Sequence, residues 1–324
     1  MGQPHQPRHG SIQFWPRKRA KHSLARIRSW AAESKAKPLG FIGYKAGMTH
    51  LQVIDNRAKS PTKGEEISVP VTIIDCPPMT VSGVCFYTKN SYGGLRKEGC
   101  VWADHLSKDL GRKIPLPKKK STKTFDNFTP CEDLRLLVNT NPSLASTGAK
   151  KPKLLELALG SSREEKLAYA KQMLGKEISI EQVFEAGNSV DVHGITKAKG
   201  FQGTVKRFGI PIRQHKAEKT KRGIGTLGPW HPNRVRYSVA QSGKMGYHLR
   251  TEYNKQLLKV GKNGAEVTPA GGITKYGFVK STYLLVKGSV SGPKKRPVVV
   301  TKSIRPDYSM PKEAPQIKYV SVKA

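Results

Sequence analysis

"LGFIGYKAGMTHLQVID", residues 39–55, decides the fold class. Aromatic and β-branched residues alternate with small ones around glycines, so the run reads as two short strands, "LGFIGYK" and "THLQVID", joined at "AGM". After a polar loop, "SVPVTIIDCPP" and "TVSGVCFYTK" continue the pattern, bounded by proline and glycine. Segments of the same kind return late in the chain as "SVDVHGIT", "QLLKVGK", "STYLLVKGSV" and "KRPVVVTKS". A sheet or barrel begun over residues 38–96 is therefore expected to be completed by residues 187–324, with residues 97–186 inserted between its halves.

The inserted segment differs in composition. In "SREEKLAYAKQML", Ser162 stands three residues before Glu165, the spacing of a capping box, and Leu167, Ala170 and Leu174 fall on one helical face. "DLRLLVNT" reads as a strand, and "RKIPLPKKKSTK" at 112–123 as a basic loop able to touch phosphate. The expectation is a small α/β insertion.

Charge narrows the function. The 324 residues carry 58 Lys plus Arg against 23 Asp plus Glu, a net charge of +35. Self-repulsion on this scale opposes compaction unless a polyanion is at hand, either nucleic acid or an anionic membrane surface. No run approaches the roughly 20 apolar residues of a spanning helix, the longest pieces being "VTII" and "YLLV". The first thirty residues are positive but lack the apolar stretch of a secretory signal, and Pro4 and His5 after Met1-Gly2 give little support to myristoylation. Nucleic acid is left as the partner. Cys76, Cys85, Cys100 and Cys131 are too irregularly spaced for a Cys-x-x-Cys metal site and read as free, mostly buried thiols of a cytoplasmic protein.

Two segments look built for that partner. Residues 1–37 form a basic arm whose cations, among them Arg8, Arg17, Lys18, Arg19, Lys21, Arg26 and Arg28, face a single acid, Glu33, while Pro4, Pro7, Gly10 and Pro16 oppose helix in its first half. Phe14, Trp15 and Trp30 interleave with the charges, which fits base stacking alongside phosphate contact. From Lys197 to Lys259 the acids are Glu218 and Glu252, and glycines recur throughout. A basic loop over about 200–256 follows, too poor in apolar residues to pack by itself. Trp230 sits in it between Pro229 and His231, where nothing in the chain is expected to cover so large a ring. The loop's expected RNA contacts are Lys197, Lys199, Lys206, Arg207, Arg213, Lys221, Arg222, Trp230, His231, Arg234, Arg236, Lys244, Tyr247, His248 and Arg250.

Catalytic readings are weaker. "GIGTLG" at 223–228 has the spacing of a dinucleotide loop, but "KAEKTKR" before it is no strand and two prolines follow where the helix would start. His215, His231 and His248 lack nearby cysteines or carboxylates, so donation to phosphate or ribose fits better than metal binding or base catalysis. "NFT" at 127–129 is a chance glycosylation match. No catalytic residue, metal or cofactor is expected, and any Mg2+ would belong to the RNA. A DNA-architectural protein would share the charge, but a glycine-rich aromatic loop favours irregular RNA. An RNA-modifying enzyme would need a carboxylate, thiol or cofactor constellation that the sequence does not offer.

"FIGYKAGMTH" at 41–50, "DVHGITKAKGFQGTVKRFG" at 191–209, "GPWHPNRV" at 228–235 and "GKMGYHLRTEYNKQLLKVG" at 243–261 resemble the third large-subunit ribosomal protein family in its archaeal and eukaryotic branch, as does "GSIQFWPRKRAKHSLARIRSW" in the arm. The resemblance covers the chain end to end, including the arm and the insertion that shorter bacterial members lack. It implies a mainly β fold, a six-stranded barrel of the translation-protein type with an α/β insertion and long basic extensions. It further implies binding to large-subunit rRNA and neighbouring ribosomal proteins, early action in subunit assembly, and a cytoplasmic place in the ribosome. The loop would approach the peptidyl transferase centre and the region where aminoacyl-tRNA enters, meeting tRNA and elongation factors indirectly, with Trp230 at its tip. Eukaryotic members carry a methylated histidine upstream of that tip; the matching position here is close to Glu218, so the modification is not carried over to His215.

Overall fold

Residues 39–55 make one strand, not two. In the computed structural model, which describes residues 10–117, 123–128, 131–217, 219–311 and 313–322, the strand β1 (Gly40–Ile54) runs straight through "AGM". A tight hairpin there would need left-handed backbone, which Gly47 does not adopt. Instead Ala46 is the extra residue of a bulge, the register shifting between Lys45 and Gly47. Arg8, the first two prolines of the arm, residues 118–122 of the basic loop, Thr129 of "NFT" and Glu218 lie outside the described residues.

The chain continues through β2 (Glu66–Asp75), β3 (Met79–Lys89), β4 (Leu95–Trp102), β5 (Asp133–Thr140), β6 (Leu154–Ala158), helix α1 (Arg163–Met173) and β7 (Glu177–Ile178). Next come β8 (Ser189–Ile195), β9 (Ala198–Gln202), helix α2 (Thr204–Phe208) and β10 (Gly243–Gly246). Last are β11 (Leu249–Gly261), β12 (Tyr283–Lys287), β13 (Pro297–Lys302) and β14 (Ile317–Val320). The protein is mostly β and divides into two compact units, one holding Ser23–Gly194 and Thr251–Ala324, the other the residues up to His22 with Ile195–Arg250.

The larger unit has two sheets. The first is ordered β13-β8-β11-β12-β2-β1-β14, and β13 pairs with β1 as well as β8. β1 serves both neighbours in turn: Gly40–Tyr44 pair with Thr301–Pro297, and from Tyr44 onward the strand pairs with β2. Early and late sequence thus meet along β1, as the returning strand pattern led us to expect. Phe41, Ile42, Ile74, Val192, Leu284 and Val298–Val300 are buried together, because strands buried on both faces can be nearly continuous in β-branched residues. Two buried polar groups are satisfied inside. Asp75 accepts from the Tyr276 hydroxyl at 2.6 Å and from Ser281, while His193 bridges Thr251 and Thr301 at 3.0 Å each.

The second sheet is ordered β4-β3-β5-β6, with β7 on β3. "TVSGVCFYTK", read as part of the first sheet, is β3 and belongs here, and the 96/97 boundary falls inside β4. Composition identifies a strand but not its partner. Helix α1 buries Ala170, with Leu167 and Leu174 packed against the same core. The expected capping box does not form: Ser162 makes no side-chain cap, and the left-handed Ser161 donates to the Glu165 carboxylate instead. The arm also differs from its reading. Ala25 and Ile27 are buried, and Trp30 packs on the core instead of standing free to stack on a base. All four cysteines are free, and Cys76, Cys85 and Cys131 are buried. Among the described residues, no helix is long and apolar enough to cross a membrane, and no cluster of His, Cys, Asp and Glu could hold a metal.

Two tests address this unit. A Cβ on Gly43 would lie 2.4 Å from Ile74 and 2.8 Å from the Cys76 sulfur, so Gly43→Ala is expected to lower stability by about 1–3 kcal/mol in denaturant unfolding; an unchanged midpoint would contradict this packing. Burial pushes the His193 pKa below its ordinary value, so the unfolded chain binds the proton more readily than the folded one. The corresponding stability is complete above about pH 6.5 and declines as pH falls below it. His193→Gln should flatten that part of the pH–stability curve, and an unaltered slope would remove His193 as its source.

Candidate nucleic-acid interface

The smaller unit contains the loop and the first part of the arm. The loop is not wholly irregular, since β9 and β10 pair antiparallel, with Gly243 opposite Gln202 and Gly246 opposite Ala198. Between them α2 ends at the left-handed Gly209. Phe208, at the end of α2, is 5% exposed. The Trp15 ring lies 5.6 Å from it, and the Arg17 guanidinium stands 4.2 Å over its face. These aromatics give a segment poor in apolar residues a small nucleus.

Backbone oxygens hold several of its cations. Arg17 donates to the Arg207 carbonyl at 3.0 Å, and Arg207 donates to Gln241 and Lys244 carbonyls at 2.8 and 3.2 Å. Arg213 donates to the Ile224 carbonyl, and Thr204 to that of Arg222 at 2.9 Å. His248 is buried, its Nε2 accepting from the Gly246 amide at 3.1 Å while its other ring nitrogen faces the Lys18 carbonyl at 2.9 Å. A carbonyl cannot donate, so the ring proton sits on Nδ1. The Ala20 amide also donates to the Tyr247 carbonyl at 2.8 Å, tying arm to hairpin. Gly246 must be glycine: it is left-handed, and a Cβ would fall 2.0 Å from the Lys197 oxygen.

The structure divides the residues that sequence reading expected at an RNA contact. Arg17, Arg207, Arg213, Tyr247, His248 and Arg250 are partly or fully buried, with Arg250 over Phe14 at 4.7 Å. Burial lowers the pKa of Arg207 and Arg250 from their ordinary values. Lys18, Arg19, Lys21, Lys197, Lys199, Lys206, Lys221, Arg222, His231, Arg234, Arg236 and Lys244 are exposed. Arg26 and Arg28, in the larger unit, are also exposed and alternate with buried Ala25 and Ile27. Residues 229–242 form neither helix nor strand, and none follows "GIGTLG" to receive a pyrophosphate, so the dinucleotide reading fails on geometry. Trp230 is 83% exposed there. Sequence reasoning missed Phe201, 70% exposed on β9; its flanking "KAKG" was the available signal.

A protein-family model described as ribosomal protein L3 matches residues 1–133 and 125–324. The chain belongs to the ribosomal protein L3 family. It is 46% identical over 322 residues to large ribosomal subunit protein uL3 of Methanocaldococcus jannaschii, covering 97% of this chain and 96% of that one. The uL3 of Methanothrix thermoacetophila is 46% identical over 330 residues, with 99% and 98% covered. That of Methanosphaera stadtmanae is 45% identical over 331 residues, with 99% and 98% covered. As an archaeal-type L3, the chain is a structural component of the large ribosomal subunit and not an enzyme.

Removing the aromatic nucleus should loosen the L3 loop. Phe208→Ala is expected to cost about 3–5 kcal/mol locally, raising amide exchange across 195–250 while exchange in β1, β2 and β12 stays unchanged. Equal protection in both proteins would show that Phe208 does not organise the segment.

Proposed function

We propose that this chain binds large-subunit rRNA through its arm and loop, supports early assembly of the subunit, and extends Trp230 toward the peptidyl transferase centre. The single observation that carries the reading is Trp230, 83% exposed among Lys221, Arg222, Arg234 and Arg236. A tryptophan left in water forgoes a large burial term, and a base or sugar face recovers it. The neighbouring cations displace counterions from phosphates, and glycines let the backbone come close. Buried Phe208 and the carbonyl-bound arginines hold the base of the loop in shape before RNA arrives.

In this reading the six strands β1, β13, β8, β11, β12 and β2 form a translation-protein-type barrel, a reading supported by the pairing of β13 with both β8 and β1. The second sheet with α1 is the α/β insertion. Neighbouring ribosomal proteins contact the strand-rich unit, tRNA and elongation factors sense the loop indirectly, and the chain itself needs no cofactor, Mg2+ being held by the RNA.

Trp230→Ala should leave unfolding of the free protein within about 0.5 kcal/mol while slowing aminoacyl-tRNA accommodation on mutant ribosomes; normal accommodation would overturn the role of the tip. Exchanging Lys221, Arg222, Arg234 and Arg236 together for glutamine should accumulate large-subunit precursors, and a normal precursor level would count against the assembly role.

A further inference from the structure

Cys85 and Cys100 face each other directly on β3 and β4, where β4 is an edge strand of the second sheet. Directly opposed residues of an antiparallel pair project from the same face, with Cα atoms about 4.5–5.5 Å apart. A disulfide needs a Cα separation of about 4.4–6.8 Å, so the two sulfurs can be joined with no change of register. Both are free thiols, packed in a small apolar cluster with Tyr87, Leu137 and Trp102. Their sequence neighbours Val84, Phe86 and Val101 point to the other face and belong to the main core.

The two thiols differ in access. Cys85 is fully buried, whereas Cys100 is half-buried on the edge strand. A buried thiol is ordinarily a small, inert hydrophobe, and Cys76 and Cys131 fit that description, burial pushing both thiols up. Cys100 has a different environment. A hydrogen bond with Cys85 and one from the Lys97 ammonium outweigh burial and hold its thiol below the ordinary value, while Cys85 is pushed up. Glu156 on β6 opposes a thiolate there, but its carboxylate is engaged by Lys97 at 2.9 Å and by the Tyr87 hydroxyl. One thiol thus ionises readily and can be reached from solvent, and its neighbour stays protonated and enclosed. That division suits a nucleophile and the thiol that resolves it.

We propose that Cys100 is a site of reversible oxidation by hydrogen peroxide, with Cys85 as its resolving thiol. The Cys100 thiolate attacks one peroxide oxygen: an S–O bond forms, the O–O bond breaks, and the departing hydroxide takes up a proton as water, leaving a sulfenic acid. The Cys85 sulfur then attacks the Cys100 sulfur: the S–S bond forms, the S–O bond breaks, and the hydroxyl leaves with the Cys85 proton as a second water. Together the two thiols give up two electrons and two protons, and the peroxide is reduced to water. Exchange with an external dithiol restores both thiols. The bond staples β4 to β3, its one sheet partner among the described strands, and keeps Cys100 from passing to irreversible sulfinic acid.

Hydrogen peroxide treatment of the full chain without RNA, followed by differential alkylation and peptide mass spectrometry, tests the site on the unaltered protein. Its outcome is independent of the rRNA-binding reading. We expect a disulfide between Cys85 and Cys100 that dithiothreitol reverses, with Cys76 and Cys131 recovered as thiols. In Cys85→Ala, Cys100 should accumulate as a sulfenic acid trapped by dimedone. Lys97→Met should slow alkylation of Cys100 at pH 7 several-fold, and an unchanged rate would remove the activation on which the proposal rests. Oxidation of Cys76 or Cys131 ahead of Cys100, or sulfinic acid at Cys100 with Cys85 still a thiol, would overturn it. So would thiols at both positions after a treatment that converts free cysteine to cystine.

Discussion

In a segment whose one acid is Glu218, a guanidinium must take its hydrogen-bond acceptors from backbone carbonyls or from a partner. That constraint sorts the smaller unit. Arg17, Arg207 and Arg213 are turned inward onto the carbonyls of Arg207, Gln241, Lys244 and Ile224, which gives each guanidinium an acceptor but leaves the charge uncompensated. The inward arginines fix the base of the loop around Phe208, and the remaining cations stay outside with their charge available. Compactness and binding capacity are thus assigned to different members of one basic set. Like-charge repulsion opposes regular structure over 210–242, because each added turn would bring more cations together with Glu218 as the one carboxylate in that stretch to separate them.

The strand-rich unit escapes this constraint because its interior is largely apolar and its buried Asp75 and His193 have side-chain partners. Asp75 sits between Tyr276 and Ser281, and His193 between two threonines. β1 pairs with both β13 and β2, so strands far apart in sequence share one hydrogen-bonded path, and the ends of the chain stabilise each other.

Strand existence was legible because β-branched runs bounded by glycine and proline have few other outcomes; "DLRLLVNT" is β5 residue for residue. Partnership was not legible. β3 reads like β2, and its place in the second sheet depends on contacts with residues 133–140, more than forty positions away. Ala46 looked like part of a turn because a bulge and a turn use the same small residues. At the candidate interface, residue type predicted charge and aromaticity but not direction. Trp230 and Trp15 stand in similar surroundings in sequence, yet one is exposed and the other meets Phe208. His248 was read as a donor to RNA and is a tether between Gly246 and Lys18. Cys85 and Cys100, distant in sequence, are opposite each other on β3 and β4, where the Cys85 thiol and Lys97 hold the Cys100 pKa below its ordinary value.

We propose that the basic segments are enclosed by folded rRNA and do not merely adhere to its surface. Sedimentation of tagged protein with ribosomal particles, on gradients at moderate and then high salt, tests it most directly. Surface attachment through phosphates weakens linearly in log affinity with log salt, whereas an enclosed segment is released only when the RNA opens. Enclosed segments should keep the protein on the large subunit at high salt; release into the top fractions while the particle remains intact would contradict enclosure.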